Sequence, residues 1–330
     1  MFNWQNKKVI VTGSEGFIGS HLTEKLVELG AKVTAFVLYN SFNTYGWIDT
    51  LKKEIKDSVR IFIGDIRDEA NVRKALKDQD IVFHLAALIA IPYSYNAPCS
   101  YFETNVLGTL NVMQSAREFG CTKVIHTSTS EVYGTAIYTP IDEKHPLQGQ
   151  SPYSASKISA DKVAESYYKS FSVPIAVIRP FNTYGPRQSA RAVIPTIISQ
   201  ALTGDKINLG NISTVRDMNY IKDTVQGFVK IAQSNKSIGE VINIGSGIGL
   251  TIKEIADTVI KLLKRNVKIN LDKMRLRPEK SEVGVLICDN RKASKLIDWT
   301  PKFTLEEGLM KTIEWIKNNL KYFKPEIYNI

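Results

Sequence analysis

The fold is decided by a glycine-rich stretch near the start of the chain, Thr12-Gly13-Ser14-Glu15-Gly16-Phe17-Ile18-Gly19. An apolar strand pattern precedes it and an amphipathic helical pattern follows it, which is the setting of a dinucleotide-binding turn. In such a turn the first glycine allows a sharp bend, the second lets the backbone approach a pyrophosphate, and the third permits close packing of the helix. We assign these roles to Gly13, Gly16 and Gly19, with the amides at the helix N-terminus facing the phosphates.

Short β-branched runs alternate with helical patterns from this stretch onward, which predicts a parallel sheet covered by helices on both faces. The predicted strands are residues 9–12, 32–37, 60–64, 81–85, 123–128 and 175–179, and the first helix is predicted at 17–29. Six strands with intervening helices make a doubly wound α/β domain of the Rossmann type.

The regular alternation ends past Pro180. Helices are predicted near 191–203, 222–233, 251–264 and 304–322, with one further core strand at 241–244. We therefore predict an NAD(P)-binding Rossmann domain over residues 1–185, to which residues 216–245 return. Residues 186–215 and 246–330 are expected to form a smaller C-terminal α/β lobe that binds the substrate.

Composition and charge argue against several classes of protein. The formal net charge of +10 comes from lysines spread over helix faces, without the clusters and interleaved aromatics of a nucleic-acid site. The longest apolar stretch, residues 81–92, is far shorter than the ~20 residues of a membrane span, and a strand pattern at Val9 leaves no room for a signal peptide. The three scattered cysteines favour neither a disulfide framework nor a metal site. We expect a soluble cytoplasmic protein.

The choice between NAD and NADP is left open by the sequence. Residues 36–41, after the second strand, carry neither a carboxylate that would favour NAD nor an arginine that would bind the 2′-phosphate of NADP. Asp65 follows the third strand, where it could meet the adenine, or it could instead be the N-cap of the next helix.

Tyr153 and Lys157 stand four residues apart, so on a helix they project from one face. A lysine ammonium at that spacing, together with the positive charge of a nicotinamide, would stabilise a phenolate and lower the pKa of the tyrosine toward the working pH. The pair follows a hydroxyl-rich segment, residues 127–134, at the end of the fifth strand. In this setting the pair indicates a tyrosine base.

Taken together, these elements resemble the extended short-chain dehydrogenase/reductases over nearly the whole chain. Further segments carry the resemblance: residues 84–87, 105–109, 179–187, 216–220 and 277–278. It implies that Tyr153 is the base at the 4-oxygen of a nucleotide sugar, that Thr129 lies beside it, and that NAD or NADP stays tightly bound and is recycled in each turnover. The residues expected at the cofactor are Gly13, Gly16, Phe17, Ile18, Gly19, Asp65, Ile66, Leu85, Ala86, Ala87, Asn105, Tyr153 and Lys157.

The resemblance also implies substrate and partner contacts. The residues expected to hold the diphosphate of the nucleotide sugar are Asn182, Arg187, Arg216 and Arg277, with surface salt bridges as the alternative for the arginines. The helices near 101–119 and around Tyr167 and Tyr168 resemble the pair that joins family members into homodimers. His126 and Cys121 are expected in the core rather than in catalysis.

Glu131 distinguishes between the reactions of this family. A 4-epimerase oxidises C4, rotates the keto sugar and reduces it, whereas a 4,6-dehydratase also removes the C5 proton and expels the C6 hydroxyl. Glu131 resembles the glutamate that removes this proton in dehydratases. Many dehydratases have an aspartate where this chain has Ser130, which leaves open whether Ser130 or Glu131 protonates the leaving hydroxyl.

The same Thr129-Ser130-Glu131 triplet occurs in decarboxylases of UDP-glucuronate, so decarboxylation is the main alternative, followed by 4-epimerisation and by a catalytically silent NAD(P)-binding scaffold. A decarboxylase would need a cation aimed at the carboxylate, but residues 88–93 are apolar and aromatic, which favours an uncharged C6 group. A silent scaffold would be expected to lack Tyr153, Lys157 or Glu131. Residues 39–47 resemble the GDP-GlcNAc 4,6-dehydratases of legionaminic acid biosynthesis, so GDP-GlcNAc is expected first and UDP-GlcNAc second.

Overall fold

The predicted β-branched runs all form strands, each within one residue of its predicted bounds. The computed structural model describes residues 2–328. Its strands are β1 (Lys8–Thr12), β2 (Lys32–Leu38), β3 (Val59–Gly64), β4 (Ile81–His84), β5 (Lys123–Thr127), β6 (Ile175–Pro180), β7 (Asn182–Tyr184), β8 (Lys206–Leu209), β9 (Val215–Tyr220), β10 (Val241–Ile244), β11 (Gly249–Thr251), β12 (Lys268–Leu271) and β13 (Val285–Leu286). Seven of them form a parallel sheet in the order β10-β6-β5-β4-β1-β2-β3, which confirms the predicted Rossmann-type fold.

Helices cover both faces of this sheet, whereas α8, α10 and α12 pack on one another and on the smaller sheets. The α-helices of the described residues are α1 (Phe17–Glu28), α2 (Lys53–Asp57), α3 (Glu69–Leu76), α4 (Ile91–Asn96), α5 (Pro98–Phe102), α6 (Gly108–Glu118), α7 (Pro152–Phe171), α8 (Val193–Thr203), α9 (Ile221–Gln233), α10 (Ile252–Leu263), α11 (Arg291–Ile297) and α12 (Leu305–Asn318). None of the helices within residues 2–328 combines the length and apolarity needed to cross a bilayer.

The large sheet is buried on both sides because side chains alternate along a strand. Val9 and Val11 of β1 belong to the core beneath α1 and α9, whereas Ile10 between them belongs to the core beneath α3, α6 and α7. Strands buried on both faces are apolar at consecutive positions, which explains why their bounds could be recognised in the sequence.

Later segments build smaller sheets. Strands β11, β9 and β13 lie side by side, with β7 paired to β9, and β8 pairs with β12. The segment 216–245 is divided between the two parts of the molecule, because β9 lies in a small sheet while β10 is an edge of the large one. We therefore propose that the chain returns to the Rossmann domain at Ile221. The other predicted lobe boundaries stay predictions.

The strand order reverses between β1 and β4 at the centre of the sheet. Doubly wound sheets bind ligands in the crevice at the carboxyl ends of such neighbouring strands. The glycine-rich stretch follows β1 and residues 85–87 follow β4. The fold therefore brings both segments to this crevice.

Candidate active site

The glycine-rich stretch is packed so tightly that two of its three glycines exclude a side chain. Gly13 has a φ of +69°, and a Cβ on it would lie 2.9 Å from the nitrogen of Ala86. A Cβ on Gly19 would lie 2.1 Å from the carbonyl oxygen of Gly13, because α1 packs directly on the turn. Gly16 is the least crowded of the three, although a Cβ on it would still lie 3.3 Å from the carbonyl oxygen of Gly13.

Helix α1 begins at this turn with unused hydrogen-bond donors. Its N-cap, Gly16, has no side chain to accept from the first amides, and no acidic residue stands in the first turn. The side chains of Phe17 and Ile18 pack on the core, which leaves their backbone at the turn. Uncapped amides at the positive end of a helix suit an anion. This cradle therefore fits the pyrophosphate of a dinucleotide.

Thr12 holds the segment after β4 against the glycine turn. Its hydroxyl oxygen accepts from the amides of Leu85 and Ala86, both at 3.0 Å, and shares a hydrogen bond of 2.9 Å with Nδ1 of His84. Ala87, the next residue, is partly exposed. The predicted cofactor residues that follow β1 and β4 therefore lie together.

Asp65 and Ile66 follow β3, so they lie at the same carboxyl edge of the parallel sheet as the crevice. Asp65 accepts from the amide of Arg67 at 2.9 Å and pairs with the Arg67 guanidinium at 2.6 Å, which lowers the pKa of Asp65. The alternative role of Asp65 as a helix cap is wrong, because Asp68 caps α3 by accepting from the amide of Asn71. Ile66 is buried.

Glu15 lies beside the cradle, although the sequence pattern did not single it out. Its Oε1 accepts from the amide of Leu38 at the end of β2 at 3.1 Å, whereas its Oε2 is buried without a partner. Burial raises the pKa of Glu15 and outweighs the hydrogen bonds from its own amide and from Leu38. The end of β2 therefore has a carboxylate, but residues 36–41 do not contribute it.

Tyr153 and Lys157 share one buried face of α7, as their spacing predicts. The Thr129 side chain lies near the Tyr153 hydroxyl and opposes the rise in the pKa of Tyr153. Nζ of Lys157 donates to the carbonyl oxygen of Thr127 at 2.6 Å. Burial lowers the pKa of Lys157 to about 8, and the charge of Asp161 opposes this shift. Burial raises the pKa of Tyr153, so the groups of the protein do not by themselves give the lowered tyrosine pKa expected from the sequence.

A short 3-10 turn, Ser130–Tyr133, follows β5 and carries Glu131 to the neighbourhood of Tyr153. Thr129 caps this turn, because its hydroxyl oxygen accepts from the amide of Glu131 at 3.2 Å. Ser130 and Glu131 are 2% and 8% exposed. After burial, the charge of Glu131 is among the influences that set the pKa of Tyr153 and of Arg216, so its carboxylate lies within electrostatic reach of both.

Arg216 and Arg277 converge on a single carboxylate. Nη2 of Arg216 lies 3.5 Å, and Nη1 of Arg277 lies 3.7 Å, from Oε1 of Glu282. Burial lowers the pKa of Arg216, and the charge of Arg277 adds to this. Asn182 lies on β7, the neighbour of the strand that carries Arg216, and its Oδ1 is buried without a partner. Guanidinium groups brought together in this way are the donors that pair with an anionic ligand such as a phosphate.

Arg187 and Asn105 also have partners within the chain. Arg187 pairs with Glu24 of α1 at 2.9 Å, but its side chain is only 12% exposed, so this ion pair is not the surface salt bridge of the alternative. Asn105 accepts from the amide of Leu88 at 2.8 Å and donates to the carbonyl oxygen of Leu88 at 3.0 Å and to Oγ of Ser156 at 2.9 Å. Asn105 therefore ties the segment after β4 to α7, which is a supporting contact.

The carboxylate of Asp161 lies one helical turn beyond Lys157 and holds β5 and β6. It accepts from Nε2 of His126 at 3.1 Å, from Oγ of Ser128 at 2.7 Å and from Nη2 of Arg179 at 2.9 Å. Burial alone would raise the pKa of Asp161, but the hydrogen bond from His126 and the charge of Arg179 outweigh it and hold this pKa below its usual range.

This cluster fixes the strand end that orients the lysine. His126 and Ser128 flank Thr127, whose carbonyl oxygen receives the Lys157 ammonium. His126 is buried as expected, but the sequence did not reveal that Asp161 connects it to Arg179. Residues 2–328 contain no group of three or more His, Cys, Asp or Glu side chains placed to hold a metal ion.

Comparison with known proteins shows what the chain is similar to. The family model described as GDP-mannose 4,6 dehydratase matches residues 10–312. UDP-glucuronic acid decarboxylase 6 of Arabidopsis thaliana is 33% identical over 324 residues, covering 93% of this chain and 88% of that protein.

Two solved structures have the same fold throughout. The dTDP-glucose 4,6-dehydratase DesIV of Streptomyces venezuelae, solved with NAD bound, has a TM-score of 0.84 and 28% identity, covering 96% of this chain and 99% of that one. A UDP-N-acetylglucosamine 4-epimerase of Methanobrevibacter ruminantium M1 has a TM-score of 0.85 and 30% identity, with the same coverage of 96% and 99%. The similar proteins therefore include a dehydratase, a decarboxylase and an epimerase.

We predict that Asp161→Asn costs about 3–5 kcal/mol in the free energy of unfolding, because it leaves the buried Arg179 guanidinium without its counter-charge. The matched control is Glu165→Gln, one turn further along α7, whose carboxylate pairs with two exposed lysines. Its expected cost is at most about 1 kcal/mol. Urea titration of both variants measures the difference, and equal losses would contradict this prediction.

The cost of Asp161→Asn should also depend on pH. The pKa of Asp161 is lower in the folded protein than the value of about 3.9 in an unfolded chain, so its contribution is complete above that value and is lost as the pH falls below it. The gap between wild type and variant should therefore narrow as the pH falls below about 4. A constant gap down to the acid limit of folding would show that the charge is not responsible.

Proposed function

Because this chain belongs to the family described as GDP-mannose 4,6 dehydratase, we propose that it is a nucleotide-sugar 4,6-dehydratase. The observation that carries the proposal is the buried carboxylate of Glu131, which adds a second possible base to Tyr153. The amide of Glu131 donates to the Thr129 hydroxyl, and its carboxylate lies within electrostatic reach of Tyr153. A 4-epimerase needs a base only at the 4-oxygen. A dehydratase needs another at C5, and Glu131 supplies it.

We propose NAD as the cofactor. DesIV was solved with NAD, and the uncapped amides of α1 beside Gly16 suit a pyrophosphate. Gly13 and Gly19 make the close packing on which this cradle depends. When bound in this cradle, NAD would supply the hydride acceptor for C4 and the hydride donor for C6, and its positive charge would favour the phenolate of Tyr153.

The residues of the chain then act in two stages. Tyr153 takes the proton of the 4-hydroxyl as hydride leaves C4, while Thr129 orients the two hydroxyls and the Lys157 ammonium stabilises the phenolate. The 4-ketone acidifies C5, Glu131 removes that proton, and the C6 hydroxyl leaves as water with a proton from Ser130 or Glu131. A hydride at C6 and a proton at C5 complete the 4-keto-6-deoxy sugar.

The proposed substrate is GDP-GlcNAc, ahead of UDP-GlcNAc, on the resemblance carried by residues 39–47. The positive charge of Arg216 and Arg277 supports a diphosphate contact, and the unpaired Oδ1 of Asn182 offers an acceptor to the ligand. In this proposal the lobe of residues 186–215 and 246–330 binds the nucleotide.

A homodimer is also part of the proposal. Apolar side chains are exposed along α5 to α7 and the turn between them, namely Phe102, Leu107, Leu110, Tyr168 and Phe171. Helices α6 and α7 pack side by side, and exposed apolar side chains on neighbouring helices are typical of an interface. The same helices resemble the pair that joins members of the family into homodimers.

Decarboxylation of UDP-glucuronate is the second candidate, because the Arabidopsis relative carries that name. Against it, the segment expected at C6 presents apolar and aromatic side chains, with Ile89 64% and Tyr93 39% exposed. An apolar wall does not compensate the charge of a C6 carboxylate.

The proposed function is tested by incubating the protein and NAD with GDP-GlcNAc, UDP-GlcNAc, GDP-mannose, dTDP-glucose and UDP-glucuronate and measuring the product masses. We expect one sugar to lose a single water, with GDP-GlcNAc reacting fastest. Loss of carbon dioxide from UDP-glucuronate would establish the decarboxylase instead. An unchanged mass with an altered sugar would establish an epimerase, and no reaction with any sugar would contradict the proposal.

Tyr153→Phe and Glu131→Gln should fail at different stages. Tyr153→Phe is expected to block hydride transfer, so the cofactor stays oxidised when substrate is added. Glu131→Gln should still oxidise C4 but slow the loss of water by about 10²–10⁴-fold, the usual cost of removing a general base. Absorbance of reduced nicotinamide should then rise in Glu131→Gln alone. With a substrate that carries deuterium at C5, this variant should retain the deuterium. A Glu131→Gln variant with near-normal water loss would refute the role of this residue.

A further inference from the structure

A chain of buried polar groups runs behind the active site from α7 to the turn that carries Glu131. Asp161 accepts from Nη2 of Arg179 at 2.9 Å, and Nη1 of Arg179 donates to the hydroxyl of Tyr133 at 3.0 Å. The Tyr133 hydroxyl in turn donates to Oδ1 of Asn243 at 2.7 Å. Each of these four residues is at most 5% exposed.

This series of hydrogen-bonded groups connects the residues proposed for oxidation of C4 with the residue proposed for elimination of water. One end lies on α7, which carries Tyr153 and Lys157, and Tyr133 lies on the four-residue turn that carries Glu131. We propose that Tyr133 is a positioning residue that holds Glu131 at its working distance from the sugar, so that the base for C5 keeps its alignment with the base for the 4-hydroxyl. The inference rests on the proposed dehydratase function.

The turn is fixed at both ends, which leaves Glu131 little freedom. At its start, the Thr129 hydroxyl accepts from the amide of Glu131. At its end, the carbonyl oxygen of Tyr133 accepts from Nε2 of Gln148 at 2.7 Å, and the Tyr133 hydroxyl is held by Arg179. Removing that hydroxyl would release the only side-chain hydrogen bonds found for Tyr133 among the described residues.

Arg179 suits this connection because its guanidinium is a planar fork. Nη2 and Nε both donate to Oδ2 of Asp161, at 2.9 and 3.3 Å, while Nη1 reaches Tyr133. Its charge also lies 4.9 Å from the centre of the Tyr133 ring. A lysine has a single ammonium and cannot span both partners in this way. Buried ion pairs often stabilise a fold no better than apolar side chains would, which fits a role in alignment.

The test compares Tyr133→Phe with Tyr138→Phe in the presence of NAD and whichever nucleotide sugar the wild type dehydrates. Tyr138 is the matched control, because its hydroxyl donates to Asp142 at the surface and does not touch this chain of groups. Single-turnover absorbance of reduced nicotinamide follows oxidation of C4, and product mass follows loss of water. In Tyr133→Phe, water loss should slow by about 10- to 100-fold, as expected for a misaligned base, while the initial oxidation changes little and reduced cofactor accumulates. Tyr138→Phe should behave as wild type.

A general loss of packing would slow both stages together, so equal slowing of oxidation and water loss, or no slowing of either, would overturn the inference. Asn243→Ala provides a second variant in case Tyr133→Phe does not fold, because it removes the acceptor of the Tyr133 hydroxyl and leaves the Asp161–Arg179 pair in place. It should show the same selective loss of the elimination stage. If the wild type removes water from no nucleotide sugar, the proposed function fails and this inference fails with it. Normal elimination by wild type and by both variants would overturn the inference alone.

Discussion

The active-site geometry depends on the buried carboxylate of Asp161. It receives hydrogen bonds from His126 of β5 and from Ser128, the residue after this strand, and an ion pair from Arg179 of β6. The carbonyl oxygen of Thr127 is the acceptor for Lys157. One carboxylate on α7 thus joins the helix that carries the tyrosine and lysine to the strand ends against which they work. Because the groups are buried, each must keep its partner, which makes the arrangement rigid.

The sequence predicts the parts of this protein that depend on local pattern. The strands of the large sheet are buried on both faces, so their apolar runs mark them to within one residue. The glycine turn and the four-residue spacing of Tyr153 and Lys157 are likewise local. Contacts between distant segments could not be predicted in this way. Asp161 meets Arg179 only through the packing of α7 on the sheet, and Glu15 meets the end of β2 only because the glycine turn bends toward it.

The same distinction explains the residues whose contacts differ from expectation. Arg187 has a carboxylate partner on α1, and only the folded chain brings Glu24 within reach of it. The lysine and a bound nicotinamide together are expected to lower the pKa of Tyr153. Spacing says nothing about burial, and in the protein alone burial raises this pKa. The buried surroundings of Tyr153 therefore favour its neutral form, and the hydrogen-bonding influence of Thr129 opposes this.

We propose that one site oxidises C4, eliminates water across C5 and C6, and returns the same hydride to C6. GDP-GlcNAc that carries deuterium at C4, with the product examined by NMR, distinguishes this course from its alternatives. We expect a 4-keto-6-deoxy sugar with that deuterium on the C6 methyl group and a hydrogen from solvent at C5. Deuterium found again at C4 of an intact hexose would contradict it, because the site would then oxidise and reduce a single carbon.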